Sequence, residues 1–320
     1  MRLYAALIIL FCPLLLIAQV DVTQHIVPGR GNNALQQQKP YVILISVDGL
    51  RYDLVDKFQA KNLRMAPPPR SAGRLAVVTG TTSGIGHAVA RTLLEHGWRV
   101  LGLARRPSAL DHDAYEHARV DLRDIDSLDV ALTPRLTTVL AGRSLARIGL
   151  VNNAADPALL GPVASLDARQ LAGVFATNVA APIWLMGALV RLAPPALPLR
   201  IVNVSTGAAV RAFPGLAAYG SSKAALRMAG MALAAELDTA ADASLRERDV
   251  ALLSYEPGTV DTPMQVLARS QPTDVLPSRD LFLRFEAERR LVPPAAPAGE
   301  IVTFLESERA ARFQERRLGS

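Results

Sequence analysis

From residue 74 onward, short apolar runs rich in β-branched residues alternate with longer segments whose apolar residues recur at helical spacing. The runs have the length and composition of buried parallel strands, and the segments between them are long enough for helical crossovers. This alternation predicts an α/β fold, a Rossmann-type, doubly wound parallel sheet with helices on both faces. The predicted strands are RLAVVTG (74–80), WRVLGLAR (98–105), ARVDL (118–122), RIGLVNNAA (147–155), LRIVNVST (199–206) and DVALLSYEPG (249–258).

Helical spacing is clearest over 167–192 and 217–237, and a further helix is predicted after the prolines at 293 and 294. The residues that follow this last helix are predicted to form a polar tail. We expect the C-terminal part to cap a substrate pocket or to contribute to a subunit interface.

The first 69 residues have a different character from the rest. Residues 1–19, MRLYAALIILFCPLLLIAQ, place a positive charge before an apolar stretch, which is typical of a secretory signal peptide. An uncleaved membrane anchor is the alternative, although the run is marginal against the roughly 20 residues that a spanning helix needs. Residues 20–69 are predicted to be an orphan fragment with a Pro-rich linker, and 70–320 a separate domain.

Composition changes at the same boundary. The chain has 320 residues, a net charge of +6 and four lysines, three of which precede residue 70, so the basic residues of 70–320 are arginine except for Lys223. The shift indicates two joined units. Two explanations are open: a gene fusion, or an artefact of gene assignment. The basic residues are scattered singly and in pairs, with few aromatic residues among them, which argues against a nucleic-acid surface. With Cys12 as the single cysteine and no metal-ligand spacing among the histidines, no metal site is expected.

A glycine-rich turn lies between the first strand and the helical segment after it. In TGTTSGIG (79–86), Gly80 allows a tight turn, Gly84 lets the backbone approach a pyrophosphate, and Gly86 lets helix and strand pack closely. The helix N-terminus adds N–H donors and a favourable dipole. The sequence therefore predicts a dinucleotide site here.

The second strand ends in two arginines, Arg105 and Arg106, and carries no acidic residue there. An acid at this position suits the free ribose hydroxyl of NAD, whereas guanidinium groups pair with a 2′-phosphate. The pair favours NADP, and NADPH as the reductant; two solvated surface arginines are the alternative.

Tyr219 and Lys223 are four residues apart in AAYGSSKAAL, on one face of a predicted helix. A tyrosine needs a nearby cation to act as general acid and base near neutral pH. The retention of a single lysine in an otherwise arginine-using domain indicates a specific role, because a planar guanidinium cannot replace a compact ammonium. We interpret the two residues as a catalytic pair.

Over nearly its whole length the domain resembles the short-chain dehydrogenase/reductase family. The motifs are TGTTSGIG, VDL with Asp121, NNAA (152–155), Asn178 in ATNVAAP, NVSTG (203–207), YGSSK (219–223) and PGTVDT (257–262), and they look most like the sepiapterin and benzil reductase branch. The resemblance implies a carbonyl reductase that passes a hydride from NADPH to a ketone or aldehyde. It also implies a homodimer or homotetramer, in which the helices from Asp167 and Ala217 pair across two-fold axes, and no stable membrane association of 70–320.

The resemblance assigns the catalytic roles. Tyr219 would protonate the carbonyl oxygen, Lys223 would lower the pKa of Tyr219 and hold the nicotinamide ribose, and Asn178 would anchor a water. The family serine falls on Thr206, with Ser205 beside it. The residues expected to bind the cofactor are Gly80, Thr82, Ser83, Gly84, Ile85, Gly86, Arg105, Arg106, Asp121, Leu122, Asn152, Asn153, Ala154, Tyr219, Lys223, Pro257, Gly258, Val260 and Thr262. Ala155 departs from the family glycine and adds a methyl near the cofactor.

Two alternatives to a reductase stay open. One is a catalytically silent NADP-binding sensor on the same fold. The other is a truncated secreted metal phosphodiesterase, because residues 40–63 resemble the first strand of nucleotide pyrophosphatases, with Asp48 in the place of a metal ligand. For the reductase domain a cytoplasmic location is expected from its cofactor, and the signal-like segment predicts export instead.

Overall fold

The computed structural model describes residues 73–141, 145–157, 159–308 and 310–320. Within these ranges seven parallel strands form one sheet in the order β3-β2-β1-β4-β5-β6-β7. The strands are β1 (Gly73–Thr79), β2 (Trp98–Ala104), β3 (Tyr115–Arg119), β4 (Leu145–Asn152), β5 (Leu199–Val204), β6 (Val250–Glu256) and β7 (Phe313–Arg317). The α-helices are α1 (Gly84–Glu95), α2 (Ile125–Ala141), α3 (Ala168–Phe175), α4 (Ala181–Leu192), α5 (Ala217–Thr239), α6 (Ala243–Arg246), α7 (Pro263–Ser270), α8 (Arg279–Ala287) and α9 (Ala295–Glu306).

Helices cover both faces of this sheet. Along β1, Leu75 and Val77 pack against α2, α4 and α5, while Ala76 and Val78 face the opposite side and pack against α1 and α9. Successive side chains of a strand point to opposite faces, so a strand buried on both sides reads as a continuous apolar run. The predicted Rossmann-type architecture is confirmed.

Both edges of the sheet differ from the sequence-based expectation. The predicted strand 118–122 lies three residues earlier, at Tyr115–Arg119, because its pairing with β2 runs from Val100 opposite Tyr115 to Ala104 opposite Arg119. The prediction of a polar tail after the last helix is wrong. These residues include the strand β7, FQERR, which pairs in parallel with β6. An edge strand buries little of its side chains, so neither segment carries the apolar signature of a central strand.

The long helix predicted over 167–192 is present, and it is interrupted by a π-helical turn at Ala176–Ala180. In the described part of the chain, this segment is the one helix long and apolar enough to cross a membrane by length and composition. Its Leu185 and Leu189 are fully buried against the sheet, which is the environment of a core helix in a globular domain.

Candidate active site

A cavity of about 530 Å³ opens at the carboxyl end of the sheet. The strand order reverses between β1 and β4, and in open α/β sheets ligands bind in the crevice at such a point. Nineteen of the predicted site residues line the cavity: Gly80, Thr82, Ser83, Gly84, Ile85, Arg105, Arg106, Asp121, Leu122, Asn153, Ala154, Ser205, Thr206, Tyr219, Lys223, Pro257, Gly258, Val260 and Thr262.

The glycine-rich turn joins β1 to α1 along one wall of the cavity. Gly80 and Gly84 have φ angles of +75° and +57°, a left-handed conformation that favours glycine. A Cβ placed on Gly86 would collide with the Asn153 side chain and with the carbonyl oxygen of Gly80. The glycines thus leave the backbone open to close approach at the N-terminus of α1, where N–H groups suit a phosphate, and the turn fits a dinucleotide.

Thr79 and Asn153 tie this turn to the end of β4. The Thr79 hydroxyl accepts hydrogen bonds from the backbone N–H groups of Asn153 and Ala154, both at 2.9 Å. The Asn153 side-chain amide donates to the Thr79 carbonyl oxygen at 2.9 Å. These contacts hold the floor of the cavity where the two halves of the sheet meet.

The end of β2 carries the two predicted arginines. Arg105 and Arg106 are exposed, and Arg106 donates to the Thr82 hydroxyl in the glycine-rich turn at 3.4 Å. Asp121, on the loop after β3, accepts from the backbone N–H of Arg123 at 3.0 Å. Two guanidinium groups and the Asp121 carboxylate therefore line the cavity near the glycine-rich turn.

Tyr219 and Lys223 lie one turn apart in the first part of α5 and both line the cavity. Burial raises the pKa of Tyr219 to about 12 and lowers the pKa of Lys223 to about 8. The Lys223 ammonium donates to the Val204 carbonyl oxygen at 2.7 Å. The direction for Tyr219 is opposite to the lowering that the family resemblance implies, because desolvation disfavours the phenolate.

Thr206 and Ser205 follow β5 and line the cavity together. Thr206 precedes a short 3₁₀ helix (Gly207–Ala209), and its hydroxyl accepts from the backbone N–H of Ala208 at 3.3 Å. The backbone N–H of Ser205 donates to the Tyr255 carbonyl oxygen at 2.7 Å, which extends the ladder between β5 and β6. Thr206 thus has a hydroxyl held by the backbone at the cavity wall.

Asn178 lies in the π-helical turn and is fully buried behind the cavity. Its carboxamide accepts from the backbone N–H of Asp156 at 2.7 Å and donates to the Ser222 hydroxyl at 3.0 Å. A π-helical turn is a frequent feature of functional sites, since it re-aims one side chain.

Three predicted residues do not line the cavity: Gly86, Asn152 and Asn178. Asn152 is a packing residue in this structure, because its amide donates to the Asn203 side chain at 2.9 Å inside the sheet. Sequence reasoning also missed a set of apolar lining residues, namely Leu160, Leu216, Met264, Leu267 and Phe282. They come from separate loops and from α7 and α8, so no local pattern brings them together.

The site combines a parallel sheet, a glycine-rich turn where the strand order reverses, and a Tyr-Lys pair on α5. These features together define a dinucleotide-dependent oxidoreductase. The family profile described as short chain dehydrogenase matches residues 74–273. The chain belongs to this family.

Named relatives agree with this assignment. A benzil reductase of Bacillus cereus, described as (S)-benzoin forming, is 26% identical over 244 residues, which are 73% of this chain and 95% of the relative. A sepiapterin reductase of Xenopus tropicalis is 30% identical over 254 residues, 73% of this chain and 92% of the relative. A solved short-chain dehydrogenase/reductase of Saccharomyces cerevisiae, 24% identical, shares the fold with a TM-score of 0.65 over 78% of this chain and 97% of the yeast chain. The protein is an NAD(P)-dependent oxidoreductase that acts on alcohol or carbonyl groups.

Asp48 and the signal-like residues 1–19 lie outside the described residues. The family match begins at residue 74, and none of these comparisons supports the phosphodiesterase resemblance of 40–63. Among the described residues, no group of three His, Cys, Asp or Glu side chains is placed to hold a metal ion.

Proposed function

We propose that the protein is an NADPH-dependent reductase of ketones or aldehydes in which Tyr219 is the proton donor. The observation that carries the proposal is geometric: Tyr219 and Lys223 lie one turn apart on α5 and both line the cavity that the glycine-rich turn enters. Burial raises the pKa of Tyr219 to about 12, so the phenol holds its proton at neutral pH and can donate it once negative charge develops on the substrate oxygen.

The other residues of the cavity support that proton transfer. Thr206 lines the same cavity as Tyr219, and its hydroxyl suits a hydrogen bond to the substrate oxygen as negative charge develops on it. Lys223 lies one turn from Tyr219 on α5, and the role that we propose for its ammonium is to stabilise the phenolate that forms after the proton has left. Its pKa of about 8 keeps most of the ammonium protonated at neutral pH.

The residues present fit NADPH. Gly80 and Gly84 supply the close backbone approach for the pyrophosphate, and Arg105 and Arg106, which line the cavity, supply cations for the 2′-phosphate. The carboxylate that would suit the NAD ribose is missing from the end of β2. When bound, NADPH supplies the hydride that adds to the carbonyl carbon.

The relatives' names support a carbonyl substrate. Benzil reductase and sepiapterin reductase are both named for carbonyl reduction, and this chain covers nine-tenths or more of each. The apolar lining residues Leu160, Leu216, Met264, Leu267 and Phe282 suit the non-reacting part of an organic ketone.

The test is NADPH oxidation by the purified full-length chain with a panel of diketones, pteridine ketones and aldehydes, beside Tyr219→Phe. Loss of the phenol should lower kcat by about 10³-fold or more, since it removes the general acid, while NADPH binding is retained. Equal turnover by both proteins would overturn the role of Tyr219. Tight NADPH binding without turnover on any carbonyl would favour the silent NADP-binding sensor.

We also propose that the protein is a homo-oligomer. Ile183 on α4 and Met228 on α5 are 43% and 57% exposed, so each of these long helices presents a large apolar side chain to solvent. Sedimentation of the wild type beside Met228→Glu should show a dimer or tetramer that the charge weakens. A monomeric wild type would contradict the proposal.

For the location we propose the cytoplasm, where NADPH is available. Fractionation of cells that express the intact chain should recover the reductase with cytosolic markers. Recovery with extracellular or membrane fractions would show that the signal-like segment directs export.

A further inference from the structure

A continuous line of polar contacts connects the surface near α2 to the helix that bears Tyr219. Arg123, just before α2, forms an ion pair with Asp156, on the loop after β4. Asp156 is joined through its backbone to Asn178, and Asn178 donates to the Ser222 hydroxyl. We propose that Arg123 and Asp156 are a positioning pair that holds Asn178 and, through Ser222, the turn of α5 that carries Tyr219. The inference rests on the proposed role of Tyr219.

The carboxylate of Asp156 is buried, although it is a charged group. Its side chain is 9% exposed and lines the cavity, whereas Arg123 is 45% exposed. A carboxylate removed from water is costly unless a cation or hydrogen-bond donors face it. Arg123 supplies that cation from outside the cavity, so the loop after β4 can keep a buried charge.

Asn178 is held from two sides by the chain next to this pair. Its carboxamide oxygen accepts from the Asp156 backbone N–H at 2.7 Å, and its amide donates to the Asp156 carbonyl oxygen at 3.4 Å. These two hydrogen bonds tie the position of the Asn178 carboxamide to that of the Asp156 backbone. Asn178 itself lies in the π-helical turn Ala176–Ala180, a type of turn found frequently at functional sites.

Ser222 completes the path to the catalytic helix. Its hydroxyl accepts from Asn178 at 3.0 Å and donates to the carbonyl oxygen of Tyr219 at 2.7 Å. Both partners are fixed, so the Ser222 hydroxyl has one orientation available to its proton. The ion pair at one end thereby restricts the backbone of Tyr219 at the other.

The anchoring of Arg123 fits this role. Its stem runs beside α3, where a Cβ on Gly173 would lie 3.9 Å from the Arg123 Cδ. The stem thus passes beside α3, which leads into the Asn178 turn, and the guanidinium pairs with Asp156 on the loop after β4. A misplacement of about 1 Å at a reacting group can cost about 10²-fold in rate, so modest loosening here should be measurable.

The experiment compares Asp156→Asn, Arg123→Gln and the double variant with the wild type, all as full-length chains. Asparagine keeps the size and the backbone contacts of Asp156 and removes the charge that Arg123 pairs with. Each single change should lower kcat about tenfold, and the double variant should be no worse than the poorer single, because the two side chains act as one unit. Arg123→Lys should restore part of the loss.

A matched control is Glu116→Gln. Glu116 on β3 pairs with Arg135 on α2 at 2.8 Å, at the surface, with side chains that are 40% and 42% exposed. Removing this surface pair should leave kcat unchanged within about twofold, since exposed ion pairs contribute little.

Hydrogen–deuterium exchange gives a readout that does not depend on turnover. Peptides covering 174–181 and 217–224 should exchange faster in Asp156→Asn and Arg123→Gln than in the wild type or in Glu116→Gln. Unchanged exchange in these peptides would overturn the positioning role, even if the melting temperature falls.

The remaining outcomes separate this inference from the proposed function. A lower kcat in Asp156→Asn with a wild-type kcat in Arg123→Gln would overturn the pair and place Asp156 in direct contact with substrate or cofactor. If hydrogen–deuterium exchange is faster in both variants, but the wild type reduces no carbonyl in the panel, the positioning role is upheld and the reductase is overturned.

Discussion

The Lys223 ammonium lies 2.7 Å from the carbonyl oxygen of Val204 and donates a hydrogen bond to it at the end of β5. This contact anchors α5 to the sheet at the point where the strand enters the cavity. The side chain is 1% exposed, so the carbonyl replaces only part of the hydration that the charge has lost. The remaining deficit lowers the pKa of Lys223 to about 8.

This pKa predicts a rise in stability on the alkaline side. Between about pH 8 and the ordinary lysine pKa of 10.5, the folded chain has released a proton that the unfolded chain still holds, so raising the pH favours the fold. Tyr219 acts in the opposite sense from about pH 10 to 12, where the folded chain keeps a proton that the unfolded chain releases. Urea unfolding of the cofactor-free protein and of Lys223→Met, at several values from about pH 7 to 10, measures the effect. Identical pH dependence in the two proteins would contradict the prediction.

Cofactor choice should depend on the arginines after β2. Replacing Arg105 and Arg106 by alanine should raise the KM for NADPH about tenfold or more, because charge-assisted hydrogen bonds to the 2′-phosphate are lost, and should leave the KM for NADH nearly unchanged. Steady-state kinetics with both cofactors checks this. The control is Arg91→Ala on α1, an exposed arginine paired with Glu95 at 3.6 Å, which should alter neither KM. Equal losses with NADPH and NADH would rule out recognition of the 2′-phosphate by this pair.

Gly86 should tolerate no side chain. Gly86→Ala places a methyl group against Asn153 and the carbonyl oxygen of Gly80, so it should destabilise the fold by about 2 kcal/mol or more and weaken NADPH binding. Gly299→Ala on α9 is the matched control, since an added Cβ there meets no atom within 4 Å. That change should stabilise the protein by about 0.5–1 kcal/mol through helix propensity. Denaturant unfolding compares the two, and equal effects would show that the close approach at Gly86 does not matter.

Thr206 should be replaceable by serine and not by alanine. Thr206→Ser keeps the hydroxyl, so kcat should stay within about threefold, whereas Thr206→Ala removes a donor to the developing oxyanion and should lower kcat about 10²-fold. Ser205→Ala should change kcat little, because the role that we assign to Ser205 is its backbone hydrogen bond to Tyr255. The three variants are compared in single-turnover and steady-state assays. A greater loss in Ser205→Ala than in Thr206→Ala would reverse the assignment.

Sequence by itself determined the central sheet and the local chemistry of this protein. Apolar runs such as 74–79 are strands because burial on both faces demands a continuous hydrophobic pattern. The glycine-rich turn at Gly80–Gly86 follows from the backbone conformation that glycine permits. The Tyr219–Lys223 pair follows from helical spacing. Both are short-range properties of the chain.

Tertiary structure decided what depends on residues far apart in the chain. Strand β7 forms because the polar segment Phe313–Arg317 pairs with the edge of β6, and its own residues carry no sign of it. Asn152 belongs to the NNAA motif that the resemblance assigns to the cofactor site. The sheet nevertheless places it against Asn203 and away from the cavity. The Arg123–Asp156 pair and the desolvation that raises the pKa of Tyr219 likewise arise only from packing, because burial and ion pairing depend on which segments meet.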